Sequence, residues 1–215
     1  MAAVELTIYV LALVGVGACS ISGAAAAIKK ELDLFGVMFI AAVTGLGGGI
    51  LRDILLSNLP PAMFQDPSFI AVSAGTSLIV FLIAHFFKNF FQKKHRHLEW
   101  ILNFVDAFGL GAFTVLGINT ALNRGFGGNA FFLVFLGMTT GIGGGVLRDV
   151  LLDEIPHIFT KHVYAIATIA GAILYVVLFL YAGLSEVWCA MATVLLVVVL
   201  RVLAAQFHWN FPKAY

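Results

Sequence analysis

One segment of this chain is written twice. Gly45-Leu46-Gly47-Gly48-Gly49-Ile50-Leu51-Arg52-Asp53-Ile54-Leu55-Leu56 recurs as Gly141-Ile142-Gly143-Gly144-Gly145-Val146-Leu147-Arg148-Asp149-Val150-Leu151-Leu152, identical at nine of twelve positions. The other three are Leu/Ile or Ile/Val exchanges. Thr44 and Thr140 extend the match, and Gly17-Ala18 and Gly23 correspond more weakly to Gly111-Ala112 and Gly117. The chain is therefore expected to fold as two copies of one unit, and the nature of that unit decides what the molecule can be.

The unit is too apolar for water. Hydrophobic residues are 61% of the 215 and charged residues 11%, with a mean hydropathy of +1.04. Soluble domains are near half apolar and a quarter charged. An ordinary soluble enzyme, a disordered chain and a nucleic-acid binder are all excluded, and a formal charge of +1 leaves no field to steer a polyanion. A membrane-spanning helix takes about 20 apolar residues, and seven stretches qualify: 6–28, 34–57, 69–91, 100–122, 129–152, 163–183 and 186–205. Runs such as Val194-Leu195-Leu196-Val197-Val198-Val199-Leu200 lack the alternation of a barrel strand. Met1-Ala2-Ala3-Val4-Glu5 has no basic region, so the first stretch is expected to be a true span and not a cleavable signal. Cys19 and Cys189 both fall in apolar stretches and are expected to be small packing residues.

Each copy of the repeat holds three spans. Three is odd, so the second copy enters the membrane from the opposite side and runs upside down relative to the first. The predicted fold is an all-α membrane protein: a first three-helix repeat over 1–92, a second, inverted repeat over 93–184, and a seventh helix with a short cytoplasmic tail over 185–215. The cationic residues give its orientation. Lys29, Lys30, Lys88, Lys93, Lys94, Arg96, Lys161, Arg201 and Lys213 are assigned to one side and Arg124 alone to the other. The positive-inside rule puts the nine in the cytoplasm, with the N-terminus outside and the C-terminus inside a bacterial inner membrane. The run Lys93-Lys94-His95-Arg96-His97 reads as a topology signal, with an anionic-lipid contact or a histidine pH sensor as the sharper reading.

Proteins built from inverted repeats place their pathway at the repeat interface, on interrupted helices. Gly47-Gly48-Gly49 and Gly143-Gly144-Gly145 sit just past the centres of spans two and five. They predict either a kink or unwound turn, or close helix packing through Gly45-x-x-x-Gly49 and Gly141-x-x-x-Gly145. A phosphate-binding loop is excluded, because it needs a preceding strand. Arg52 and Arg148 are the sharpest single signals, since an arginine inside the membrane must find partners or water. Thr44, Gly48 and Arg52 share a helix face, as do Thr140, Gly144 and Arg148, and each stripe predicts one wall of a polar pathway. The alternative is a structural clamp. Residues adjacent on a helix point about 100° apart, so Asp53 and Asp149 are expected to face a neighbouring helix or the opposite repeat. Ser20, Ser22, Asn103, Asp106, Thr114 and Asn119 are weaker candidates from spans one and four, and His85 is placed near an interface. No His/Cys/Asp/Glu group has metal-ligand spacing and no catalytic triad is visible, so no enzyme activity, resident metal or cofactor is expected.

The doubled Gly-Gly-Gly-x-x-Arg-Asp followed by Leu-Leu, in a seven-span chain of this length, resembles the prokaryotic branch of the trimeric intracellular cation (TRIC) channel family, whose relatives are also grouped under a glycine-transporter label. The resemblance implies a homotrimer in the lipid membrane with one pore per subunit. It implies that helices two and five are kinked at the glycines and line that pore, marking Gly47, Gly48, Gly49 and Arg52 with Gly143, Gly144, Gly145 and Arg148. The implied cargo is a monovalent cation, mainly potassium. The animal members' Lys-Glu-Val element is absent from span two, so their lipid-phosphate regulation is not expected. The alternative function is a secondary transporter of a small amino acid such as glycine.

Overall fold

The computed structural model describes residues 2–86, 96–160, 163–207 and 209. Seven long helices carry the fold: α1 (Ala2–Lys29), α2 (Leu34–Leu55), α3 (Pro67–Phe86), α4 (Arg96–Asn123), α5 (Ala130–Leu151), α6 (Val163–Val176) and α7 (Glu186–Gln206). A π-helical turn, Val177–Tyr181, continues α6. Each of the seven has the length and composition to cross a membrane. The boundary expected between residues 92 and 93 lies outside the described residues, as do Lys88, Lys93, Lys94, His95, Lys161, Lys213 and the side chains of Arg96 and His97.

The duplication is visible in how the helices start and stop. Asp33 caps α2, its Oδ1 accepting from Gly36 N at 2.7 Å, and Asn129 caps α5, its Oδ1 accepting from Phe132 N at 3.0 Å. Both are side chains whose short oxygens suit this position. At the far ends Ser57 (φ 52°) and Asp153 (φ 53°) take the left-handed conformation. The amides of Asn58 and Glu154 then close on the carbonyls of Asp53 and Asp149 at 2.7 and 2.8 Å, which satisfies carbonyls the helix leaves free. A short helix follows each turn: Ala62–Gln65 and His157–Thr160.

The packing repeats in the same way. α1 packs on α2 and α3, as α4 packs on α5 and α6, and the two units meet through α2 against α5 and α1 against α4. Leu56 at the end of α2 is buried in the core of the second repeat with Ile118, Leu133 and Tyr175. Its counterpart Leu152 is buried in the first repeat with Ala24, Val37 and Ile40. Helix α7 stands outside this symmetry and packs against α4 and α6. Cys19 and Cys189 are free and buried, as small packing residues. Large apolar side chains such as Phe39, Ile79, Phe131 and Leu195 remain exposed on the outer surface, the arrangement of a protein whose solvent is lipid.

Candidate functional site

The glycine triplets bring the two repeats into backbone contact. A Cβ on Gly48 would fall on the carbonyl oxygen of Thr140, and one on Gly144 on that of Thr44. Leu147 covers Gly47, and Leu51 covers Gly143. The reciprocity is that of a two-fold axis through the α2–α5 crossing. No unwound turn occurs: α2 and α5 are helical without interruption from end to end. The glycines serve close approach, and the carbonyls around them stay inside their helices. Thr44 and Thr140 are buried at this crossing, each donating its hydroxyl to its own helix, to Ile40 O and Leu136 O at 2.6 Å.

One turn beyond the crossing sit the arginines. Arg52 Nε and Nη2 lie 2.9 and 2.8 Å from Asp53 Oδ1. Arg148 Nε and Nη2 lie 2.8 and 2.7 Å from Asp149 Oδ1. The aspartates thus turn to their own arginines and, of the two directions expected, to a neighbouring helix, the short one that follows. The arginine chain is long enough to bend round the helix and grip the next residue's carboxylate, which helical angles alone do not anticipate. The second oxygen of each aspartate accepts from the first amide of the following short helix: Ala62 N to Asp53 Oδ2 and His157 N to Asp149 Oδ2, both 2.8 Å. Each Arg-Asp pair thus clamps the end of one long helix to the start of a short one.

The two clamps differ in what surrounds them. Arg52 and Asp53 border a small cavity of about 50 Å³, lined largely by Ala12, Val16, Leu46, Met63, Phe69 and Leu116. Arg148 and Asp149 border a cavity of about 310 Å³ that also takes in Ser22, Asn103, Asp106, His157 and Arg201. Arg148 Nη1 donates to Ser22 Oγ (2.8 Å), which donates in turn to Asp106 Oδ1 (2.9 Å), and Arg148 Nη1 stands 3.6 Å from that oxygen. The other oxygen, Oδ2, is 3.5 Å from Arg201 Nη2, and the Arg201 guanidinium lies 4.5 Å over the Tyr164 ring. Asp106 is thus held between two cations. At the mouth, Lys30 bridges Glu154 at 3.0 Å, and this hydrogen bond holds the Glu154 carboxyl below the usual carboxylate range.

Three sequence assignments need correction or completion. Arg201, counted with the cations of one side, is 6% exposed, inside α7. Ser22, Asn103 and Asp106 do line the larger cavity, but Ser20, Thr114 and Asn119 bond elsewhere, to Ser73, Leu110 O and Glu186. His157 and Tyr164, which no motif marked, belong to the surroundings of the Arg148 clamp, and only the short-helix cap on Asp149 could have signalled the histidine. His85 stacks on Phe81 near the end of α3. Gly49 and Gly145 lie beside the Arg52 guanidinium and the Tyr164 hydroxyl, respectively.

This fold and its paired clamps define a class: seven-helix membrane proteins made of an inverted three-helix repeat with an arginine–aspartate pair in each half. The family model described as Glycine transporter matches residues 9–85 and 103–180, and the chain belongs to that family. Among its relatives is the UPF0126 inner membrane protein YadS of Escherichia coli (strain K12), 32% identical over 205 residues, 95% of each chain. A UPF0126 membrane protein of Deinococcus radiodurans is 35% identical over 176 residues, covering 78% of this chain and 77% of its own. Among solved structures, one from work on conductance through TRIC cation channels superposes with a TM-score of 0.82, at 32% identity over 96% of both chains. The TRIC trimeric intracellular cation channel orthologue from Rhodobacter sphaeroides gives 0.84, at 28% identity over 94% of this chain and 99% of that one. The expected fold class and family likeness both stand.

Proposed function

We propose that the protein is a channel for monovalent cations, permeable to potassium, working as a homotrimer with one pathway in each subunit. The observation that carries this reading is the superposition of nearly the whole chain on solved TRIC cation channels. The pathway runs from the inner cavity at Arg148 to the outer cavity at Arg52, flanked by α5 in one half and α2 in the other. Val16, Leu46, Phe113 and Leu116, clustered with Cys19, form the apolar wall of the outer cavity and narrow the pathway there. A dry constriction of this kind blocks ions until neighbouring helices part. Each arginine is either neutralised by its own aspartate or acts as a fixed positive barrier that sets conductance. The N-terminus is outside and the C-terminus cytoplasmic. With Arg201 removed from the count, eight cationic residues still face one against them.

A second reading has one observation in its favour. The inner cavity presents Arg148 and Arg201 beside Asp106 and Asp149, a surface of both signs that suits a zwitterion such as glycine. Purified protein in a planar bilayer, under a potassium chloride gradient with glycine on one side, separates the two. Discrete currents reversing near the potassium equilibrium potential support the channel. Electrical silence with saturable glycine uptake into proteoliposomes overturns it and makes the same residues a transporter's binding site.

A further inference from the structure

The inner clamp contains one group that the outer clamp lacks. The amide that caps the outer aspartate belongs to Ala62, and the one that caps the inner aspartate belongs to His157. The methyl group of alanine adds nothing. The imidazole turns back on the clamp, its Nδ1 3.2 Å from Arg148 Nη2 and 3.9 Å from Asp149 Oδ2. A guanidinium has donors and no acceptor. The ring nitrogen facing it must carry a lone pair, so His157 is the neutral imidazole with its proton on Nε2.

We propose that His157 is a positioning residue for Arg148, and that a proton taken up at Nδ1 re-partners the clamp and makes cation flux depend on the pH of the inner cavity. The inference rests on the reading of that cavity as part of a cation pathway. Its side chain is 30% exposed, so water and protons reach it from the cavity. Once protonated, the ring cannot accept from Arg148 and places a second positive charge beside the first. Asp149 Oδ2, 3.9 Å away, can accept its new N–H. His157 and Arg148 then compete for one carboxylate.

Among the described residues, the other charged and titratable groups around the ring and its cavity are Lys29 on α1, Glu99 and Asp106 on α4, Glu154 after α5, Tyr164 on α6 and Arg201 on α7. Asp106 and Glu154 attract the imidazolium, and the two arginines repel it. A displaced Arg148 retains Ser22 and Asp106, and its guanidinium moves toward the open cavity, where it opposes an entering cation.

The test varies the pH of each chamber in turn in single-channel recordings. Wild-type current falls about threefold or more as the Lys30–Glu154 side goes from about pH 8 to about pH 5. Glutamine at the position accepts but does not titrate, so His157→Gln abolishes the dependence, whatever its basal current. His157→Lys fixes the charge and gives low current at both values. Nitrogen-15 NMR of histidine-labelled protein in bilayers reads the tautomer without any current. An unchanged pH response in His157→Gln overturns the inference, and so does an Nδ1–H ring at about pH 8. If no variant conducts, wild type included, while the ring titrates from Nε2–H and the Arg148 side-chain signals move with it, the cation reading fails and the re-partnering stands.

Discussion

At the scale of single residues, the arginines carry the clearest consequences. Among the described residues Asp53 is the only carboxylate paired with Arg52, whereas Arg148 has Asp106 in addition to Asp149. Removing one partner of a buried ion pair costs about 3–5 kcal/mol because the other charge is left uncompensated. Asp53→Ala is therefore expected to lose stability on that scale and Asp149→Ala distinctly less, measured as melting temperatures of the purified protein in one detergent. Equal losses would mean that Asp106 does not share the inner charge. Much of this was legible in sequence: two arginines in apolar runs, each followed by aspartate, already demanded a polar site. The grip of each arginine on the aspartate beside it was not, because it depends on the side chain folding back along its own helix. The burial of Arg201 was not legible either, because it lies near the end of α7, where sequence alone does not separate an exposed charge from an embedded one.

At the scale of elements, the spans followed from length and apolarity, and the caps Asp33 and Asn129 fix where α2 and α5 begin. The glycine triplets show why the rest needed a structure. Glycine costs a helix about 1 kcal/mol relative to alanine, and the same loss can be offset by breaking the helix or by letting another backbone approach. Sequence states the cost and not the remedy. Here the remedy is the crossing. Gly48→Ala and Gly144→Ala are each expected to destabilise the protein, since the added methyl meets a carbonyl oxygen, and Gly48→Leu to abolish flux. Gly75, inside α3, has open space around its Cα, so Gly75→Ala is expected to be neutral or stabilising by up to about 1 kcal/mol. Thermal denaturation of the three alanine variants side by side checks the contrast, and a Gly48→Ala protein as stable as wild type would remove the crossing from the account.

At the scale of the whole molecule, the repeats are joined at both faces. Lys30, after α1, bridges Glu154, after α5. Arg124, after α4, hydrogen-bonds Asn58, after α2. These are the same latch drawn twice, one end of each in each repeat. The exposed Lys30–Glu154 pair contributes about 0–1 kcal/mol. Its carboxylate titrates below the ordinary glutamate value of 4.5. The contribution is therefore present at neutral pH, begins to shrink as pH falls past that value and is gone below the folded-state one. Lys30→Gln should be slightly less stable than wild type at neutral pH and equal to it in strong acid, and restoring the pair by Lys30→Glu with Glu154→Lys should recover the difference. A gap between Lys30→Gln and wild type that persists unchanged in acid would count against the latch.

The seventh helix has no twin. It brings Arg201 to the inner cavity, while the outer cavity keeps its apolar walls. A path with unlike ends presents unlike barriers to an ion entering from each. Such a conductor rectifies: equal voltages of opposite sign drive unequal currents, even in identical salt on both sides. The sign and size of that inequality in the open channel would measure, in electrical units, how far an added helix and the divergence of the two copies have together carried a duplicated protein from the symmetry of its own sequence.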